Sequence, residues 1–159
     1  MDTTDSVSTM WREYLASLGE KPETTEKRYL AWYFCDNEAD AAELADLVLQ
    51  GVKRATAGLK QSYEHDGEPL PAPGDLSVIT DYHGRACGII RTTAVRVLPF
   101  RDVPAEFAAR EGEGDGSLEY WRRGHWKFFS RELAAMGRTP DEEMEVVCED
   151  FELVWPPQK

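Results

Sequence analysis

Apolar residues in the first part of the chain recur at spacings of three and four. Over residues 7–18, Met10, Trp11, Tyr14, Leu15 and Leu18 predict an amphipathic helix that Gly19 stops. Asp36-Asn37-Glu38 is a helix start, and Ala42, Leu44, Ala45, Leu47, Val48 and Leu49 continue a second helix to a glycine stop at Gly51. Beyond Tyr63 the pattern changes to turns and extended runs. Residues 69–74 predict a loop, 76–80 a strand, and Asp81-Tyr82-His83-Gly84 a hairpin turn. The partner strand over residues 86–97 is rich in β-branched side chains, and Gly88 within it predicts a bulge or sharp bend. A short helix is expected at 104–110. A glycine-rich loop follows, then a long helix from Leu118 to Met136 ended by Gly137, and a closing strand at 145–155. This alternation predicts an α+β domain built on a small curled sheet or partial barrel flanked by helices.

The length of 159 residues argues for one domain, with residues of about 5–32 as an N-terminal helical extension. With 42% hydrophobic residues the chain can bury a core. No apolar run approaches the ~20 residues that span a bilayer, and the first residues lack the pattern of a signal peptide, so the expectation is a soluble, cytoplasmic protein. Cys35, Cys87 and Cys148 are an odd number with no C-x-x-C pair, which predicts reduced core thiols rather than disulfides or structural zinc.

The net charge of −12 opposes binding over a broad nucleic-acid surface, where affinity comes from lysine and arginine on phosphates. The charge is uneven: residues 53–100 carry a net +1, against −7 before and −6 after. An anion site would draw on that middle third, and a cleft can hold a local potential that departs from the net charge.

Three features carry candidate chemistry. Directly after the second helix, Gly51-Val52-Lys53-Arg54-Ala55-Thr56-Ala57-Gly58 places Lys53 and Thr56 at a helix-to-strand junction, although lysine there is ordinarily solvated and threonine there is ordinarily a strand former. Glu111, Glu113 and Asp115 alternate with glycines; such a cluster suits a hard cation such as Mg²⁺ or Mn²⁺, or a carboxyl raised by like charge, or equally the N-terminal dipole of the following helix, with Ser117 as N-cap. In the long helix, Leu118, Trp121, His125, Phe128, Phe129 and Leu133 form an inward stripe that puts His125 on or beside the buried face. Trp121 is a base-stacking candidate as well as a core residue, and Arg54, Tyr63, Arg91 and His125 join it as candidate ligand contacts.

Taken in order, these motifs resemble the ASCH superfamily of PUA-like domains, in particular its longer bacterial branch. The resemblance rests on G-x-K-x-x-T at Gly51, Lys53 and Thr56, on the run from Gly67 to Asp75, on Phe107 to Asp115 followed by Ser117-Leu118 and Trp121, on His125, and on Val147-Cys148-Glu149-Asp150-Phe151. It implies a small PUA-like β-barrel with a cleft at the Lys53 segment for single-stranded RNA or a nucleoside-like ligand. It also implies hydrolysis in some members. In an amidohydrolase acting on N4-acetylcytidine, Lys53, Thr56 and Glu111 would be catalytic. In a metal-dependent ribonuclease, Glu111, Glu113 and Asp115 would hold Mg²⁺ or Mn²⁺, and Tyr63 or Thr56 would position the scissile group. Other relatives imply a non-catalytic RNA- or nucleotide-binding module. The fuller motif ends in arginine where this chain has Gly58, and Arg54, Lys60 or Arg91 are the cations available to replace it. If Lys53 and Glu111 act in catalysis, the lysine is expected to be lowered and the glutamate raised in pKa.

Overall fold

A computed structural model describes residues 3–157. Helix α1 (Thr3–Ser17) is followed by strand β1 (Leu30–Trp32) and helix α2 (Glu38–Leu49). Then come β2 (Ala55–Leu59), α3 (Lys60–Asp66), β3 (Leu76–Thr80), β4 (Ala86–Pro99), α4 (Ala105–Glu111), α5 (Leu118–Ala135) and β5 (Glu145–Trp155). The fold class is α+β, with a five-stranded mixed sheet in the order β1-β3-β4-β5-β2. Strand β1 runs parallel to β3, while β3–β4 and β2–β5 are antiparallel.

Local signals explain most of these boundaries. Asn37 caps α2 by accepting from the Asp40 amide, and Ser117 caps α5 by accepting from the Tyr120 amide. In the hairpin, Ile79 faces Gly88 and Thr80 faces Ala86, so Cys87 is the extra residue of a bulge next to the glycine. Strand β1 lies inside the stretch expected to be a helical extension. Its three residues are too few for a periodic signal, and pairing with β3 is what makes it a strand. Helix α3 was also not anticipated: it buries no residue, so it carries no apolar stripe.

The chain divides into two compact units. The first draws on Met1–Gly51, Gly74–Thr92 and Glu152–Lys159. Its core packs Val7, Trp11, Tyr14 and Leu15 of α1 against Leu76, Val78 and Ile89. The second comprises Val52–Pro73 and Thr93–Phe151. Its core joins Ala55 and Leu59 of β2, Val146 and Cys148 of β5, Phe107 and Ala108 of α4, and Trp121, Phe129 and Leu133 of α5. Of the expected core thiols only Cys148 is buried; Cys35 and Cys87 are half-buried, and all three are free. No described helix is long and apolar enough to cross a membrane.

Candidate functional site

The second unit buries a lysine and a glutamate completely, which chains rarely do unless the charges pair. Lys53 stands just ahead of β2, and Glu111 is the last residue of α4. The Arg54 amide donates to the Arg110 carbonyl at 2.7 Å, tying the two segments together. Gly112 then adopts φ 68°, and a Cβ there would stand 2.5 Å from the Val52 carbonyl oxygen. Only glycine lets the chain turn back against Val52, and that turn brings Glu113 to the same amine as Glu111.

Lys53 Nζ donates to Glu111 Oε2 at 3.0 Å, to Glu113 Oε2 at 3.0 Å and to the Ala55 carbonyl at 2.8 Å. The other oxygen of Glu111 accepts from Trp121 Nε1 at 2.9 Å and lies 3.4 Å from His125 Nε2. Trp121 and His125, one turn apart on α5, stack at 4.2 Å. His125 Nδ1 is 2.9 Å from the Trp121 carbonyl, which can only accept, so Nδ1 carries a proton. Its Nε2 therefore meets the Glu111 oxygen favourably only when a proton lies between them, on the ring or on the carboxyl.

Burial opposes the charge on Lys53, but Glu111 and Glu113 outweigh it and raise its pKa, contrary to the lowering expected of a catalytic base. Glu111 likewise moves against expectation: burial pushes it up, but Lys53 and His125 hold it well below the carboxylate range. The group raised is Glu113, to about 7, by burial and by its hydrogen bond to Glu111. For His125, burial works against the charge, and Glu111 still raises its pKa overall. The side chains of Lys53 and Glu111 are each 1% exposed, whereas those of His125 and Glu113 are 14% and 23% exposed. Solvent thus reaches the last two.

The other predicted residues are placed variously. Thr56 is half-buried in β2 opposite Glu149, and strand alternation turns it to the face opposite Ala55, which lies in the core. Among the described residues no hydrogen bond joins its hydroxyl to Lys53 or Glu111. Tyr63 lies against Gly58, where a Cβ would sit 3.0 Å from its ring, so this glycine makes room for the tyrosine. Burial and then Glu149 push the Tyr63 hydroxyl up to about 12. The Arg54 side chain is exposed, and Lys60 is engaged by Glu64 and Glu145. Arg91, in the first unit, pairs with Glu152.

Asp115 is exposed and accepts from the Ser117 amide, so it stands apart from the carboxylates it was grouped with. His125 takes its place: oxygens of Glu111 and Glu113 and a nitrogen of His125 lie within 4.8 Å of one another. These donors are close enough for one ion. However, the Lys53 ammonium already bridges both carboxylates, and a divalent cation would set like charge against it, so the set does not fit Mg²⁺ or Mn²⁺.

The sequence profile of the ASCH domain matches residues 30–155, a span that holds every residue of this cluster. The chain belongs to the ASCH domain family. The ASCH domain of Lactobacillus crispatus JV V101 is 38% identical, with 94% of each chain covered and a TM-score of 0.86. A protein of Enterococcus faecalis V583 is 30% identical over 96% of this chain and 91% of its own, with a TM-score of 0.82. No protein of curated function matches. ASCH domains are generally associated with RNA binding. Sequence reasoning grouped Lys53 with Thr56 and Glu111 through the resemblance, named Trp121 and His125 as ligand contacts, and missed that Glu113 is the raised carboxyl. The available signal was its two-residue spacing from Glu111 across a glycine.

Proposed function

We propose that this ASCH domain binds a nucleoside, free or within single-stranded RNA, and hydrolyses an amide on its base without a metal, as an N4-acylated cytidine would present it. The observation that supports this reading is the carboxyl of Glu113, partly exposed, 3.0 Å from a buried ammonium and raised to about 7. A group titrating there can both accept and return a proton near neutral pH.

In this reading Glu113 takes a proton from water as the oxygen adds to the acyl carbon. Lys53 and His125 offset the negative charge that develops beside them. The carbon–nitrogen bond then breaks, Glu113 passes its proton to the departing amine, and the acyl group leaves as a carboxylic acid. Lys53 and Glu111 act from behind: their pairing holds Glu113 in place and sets its proton affinity. Because no hydrogen bond links Thr56 to the cluster, attack is assigned to water. An acylated Thr56 trapped and detected by mass spectrometry would transfer the nucleophile to that hydroxyl.

One observation favours a second reading, binding without turnover: the Lys53 ammonium is already saturated by oxygens of Ala55, Glu111 and Glu113, as in a purely structural ion pair. Incubation with N4-acetylcytidine, other acylated nucleosides and a short RNA, with Mn²⁺ or with chelator, separates these readings. Release of acid and free amine, unaffected by chelator and lost in Lys53→Ala and Glu113→Gln, is the expected result. Saturable binding with no product establishes the binding module, and activity that requires Mn²⁺ rejects the metal-free route.

A further inference from the structure

The first unit contains an open cleft of about 760 Å³ that the ion-pair cluster does not involve. Tyr29, Trp32 and Tyr33 of the β1 segment and Tyr82 of the hairpin turn line it, with Thr80 and Cys35 between them. Tyr33 and Tyr82 are 40% and 42% exposed, so their rings are open to a ligand. Their centroids are 5.2 Å apart, and Tyr82 meets His83 edge-on. Among the described residues no lysine or arginine lines the cleft.

Carboxylates stand beside this lining. Cys35 Sγ lies 3.5 Å from Asp40 Oδ2 and 3.7 Å from Asp36 Oδ1, and His83 Nε2 is 3.1 Å from Glu38 Oε1. Cys35 is also the one non-glycine residue with positive φ, 67°, among those described, so the backbone here is held in a conformation that side chains disfavour. Burial pushes the Cys35 thiol up to about 12, the Asp36 backbone hydrogen bond opposes that rise, and the charges of Asp36 and Asp40 add smaller increments, which removes the thiol as a nucleophile. Aromatic faces backed by carboxylates repel phosphate and attract cations, and rings favour cations whose charge is spread over alkyl groups.

We infer that this cleft is a binding site for an alkylated ammonium group carried on a small molecule, held against Tyr29, Trp32 and Tyr82 with Asp36, Asp40 and Glu38 supplying the counter-charge. The site is separate from the proposed hydrolytic cluster and takes ligands of opposite charge to a nucleotide.

Titration of the full chain with choline, followed by tryptophan fluorescence and by calorimetry, tests this. The expected result is saturable binding on the order of millimolar, with the neutral isostere 3,3-dimethylbutan-1-ol bound about tenfold more weakly. Tyr82→Ala should weaken choline several-fold and Tyr82→Phe should preserve it, since the ring face and not the hydroxyl makes the contact. Asp36→Asn, at an exposed position, should weaken choline and leave the neutral isostere unchanged. Equal affinity for the neutral isostere, tighter binding of cytidine monophosphate at the same residues, or no saturation with choline at about 50 mM, far above a millimolar constant, would each overturn the proposal. A trimethyllysine peptide that binds far more tightly than choline would overturn the small-molecule assignment.

Discussion

Lys53 has a 1% exposed side chain and two carboxylate partners, so removing it strands charge where water cannot compensate. Lys53→Met should cost about 3–5 kcal/mol by urea unfolding, the range for breaking a buried pair from one side. The double substitution Lys53→Met/Glu111→Leu should cost clearly less than the sum of the two single changes, because the second removes the charge the first had orphaned. An additive result would mean that the two side chains do not share one buried pair. Glu113 makes a pH prediction. Its folded pKa of about 7 lies above the ordinary 4.5, so the folded state holds its proton more tightly than the unfolded chain does. The stability it contributes is full below 4.5 and is lost as pH rises through 7. Melting temperatures of wild type and Glu113→Gln, followed over that interval, should show the wild type losing ground to the variant. Glu111 runs the other way: it is lowered, so its contribution is present above 4.5 and is lost as pH falls below that.

At the scale of elements, the junction between α4 and α5 decides whether the cluster exists. Glu111 ends one helix, Trp121 and His125 lie on the next, and Gly112 is the hinge that returns the chain toward Lys53. Gly112→Ala puts a methyl group 2.5 Å from the Val52 oxygen at a φ of 68°, so backbone must shift. The expected cost is about 2–4 kcal/mol, combining left-handed strain with steric overlap. Turnover in the proposed reaction should fall more than stability alone explains, because Glu113 moves with the hinge. Thermal unfolding and the rate of acid release, compared on the same sample, check both parts. Helix α5 was legible from its apolar period and its serine cap. Helix α3 and strand β1 were not, since one has no buried stripe and the other draws its identity from a partner strand distant in sequence.

Across the whole molecule, the charge of −12 sets which nucleic acids can approach. Counter-ion release drives duplex binding, and a strongly acidic protein neutralises few phosphates. Gel-shift measurements at low salt should show little affinity for duplex RNA and a shallow salt dependence for any single-stranded ligand, with a slope of about −1 or weaker, equivalent to roughly one phosphate contact. A steep slope would reveal a basic surface and refute recognition centred on one nucleoside. The two compact units each have a core of their own, and their segments interleave along the chain, so neither could be read from a linear composition change.

The order of apolar periods, caps and glycine stops was enough to determine the fold class, the long hairpin with its bulge, and α5, because these signals are local and repeat at the spacing of one element; the family came from the ordered motifs between Gly51 and Phe151. Which charged side chains meet was decided only in three dimensions. Lys53 and Glu111 are 58 positions apart, and although the resemblance groups them, no local pattern shows that they pair directly or that Glu113 and His125 join them. The direction of the pKa shifts at Lys53, Glu111, Glu113 and His125 followed from that meeting, since proton affinity depends on which charges and how little water surround a group. Strand alternation turned Thr56, three residues from Lys53, to the face opposite Ala55, and the tertiary fold put His125 in place of Asp115 beside the paired carboxylates.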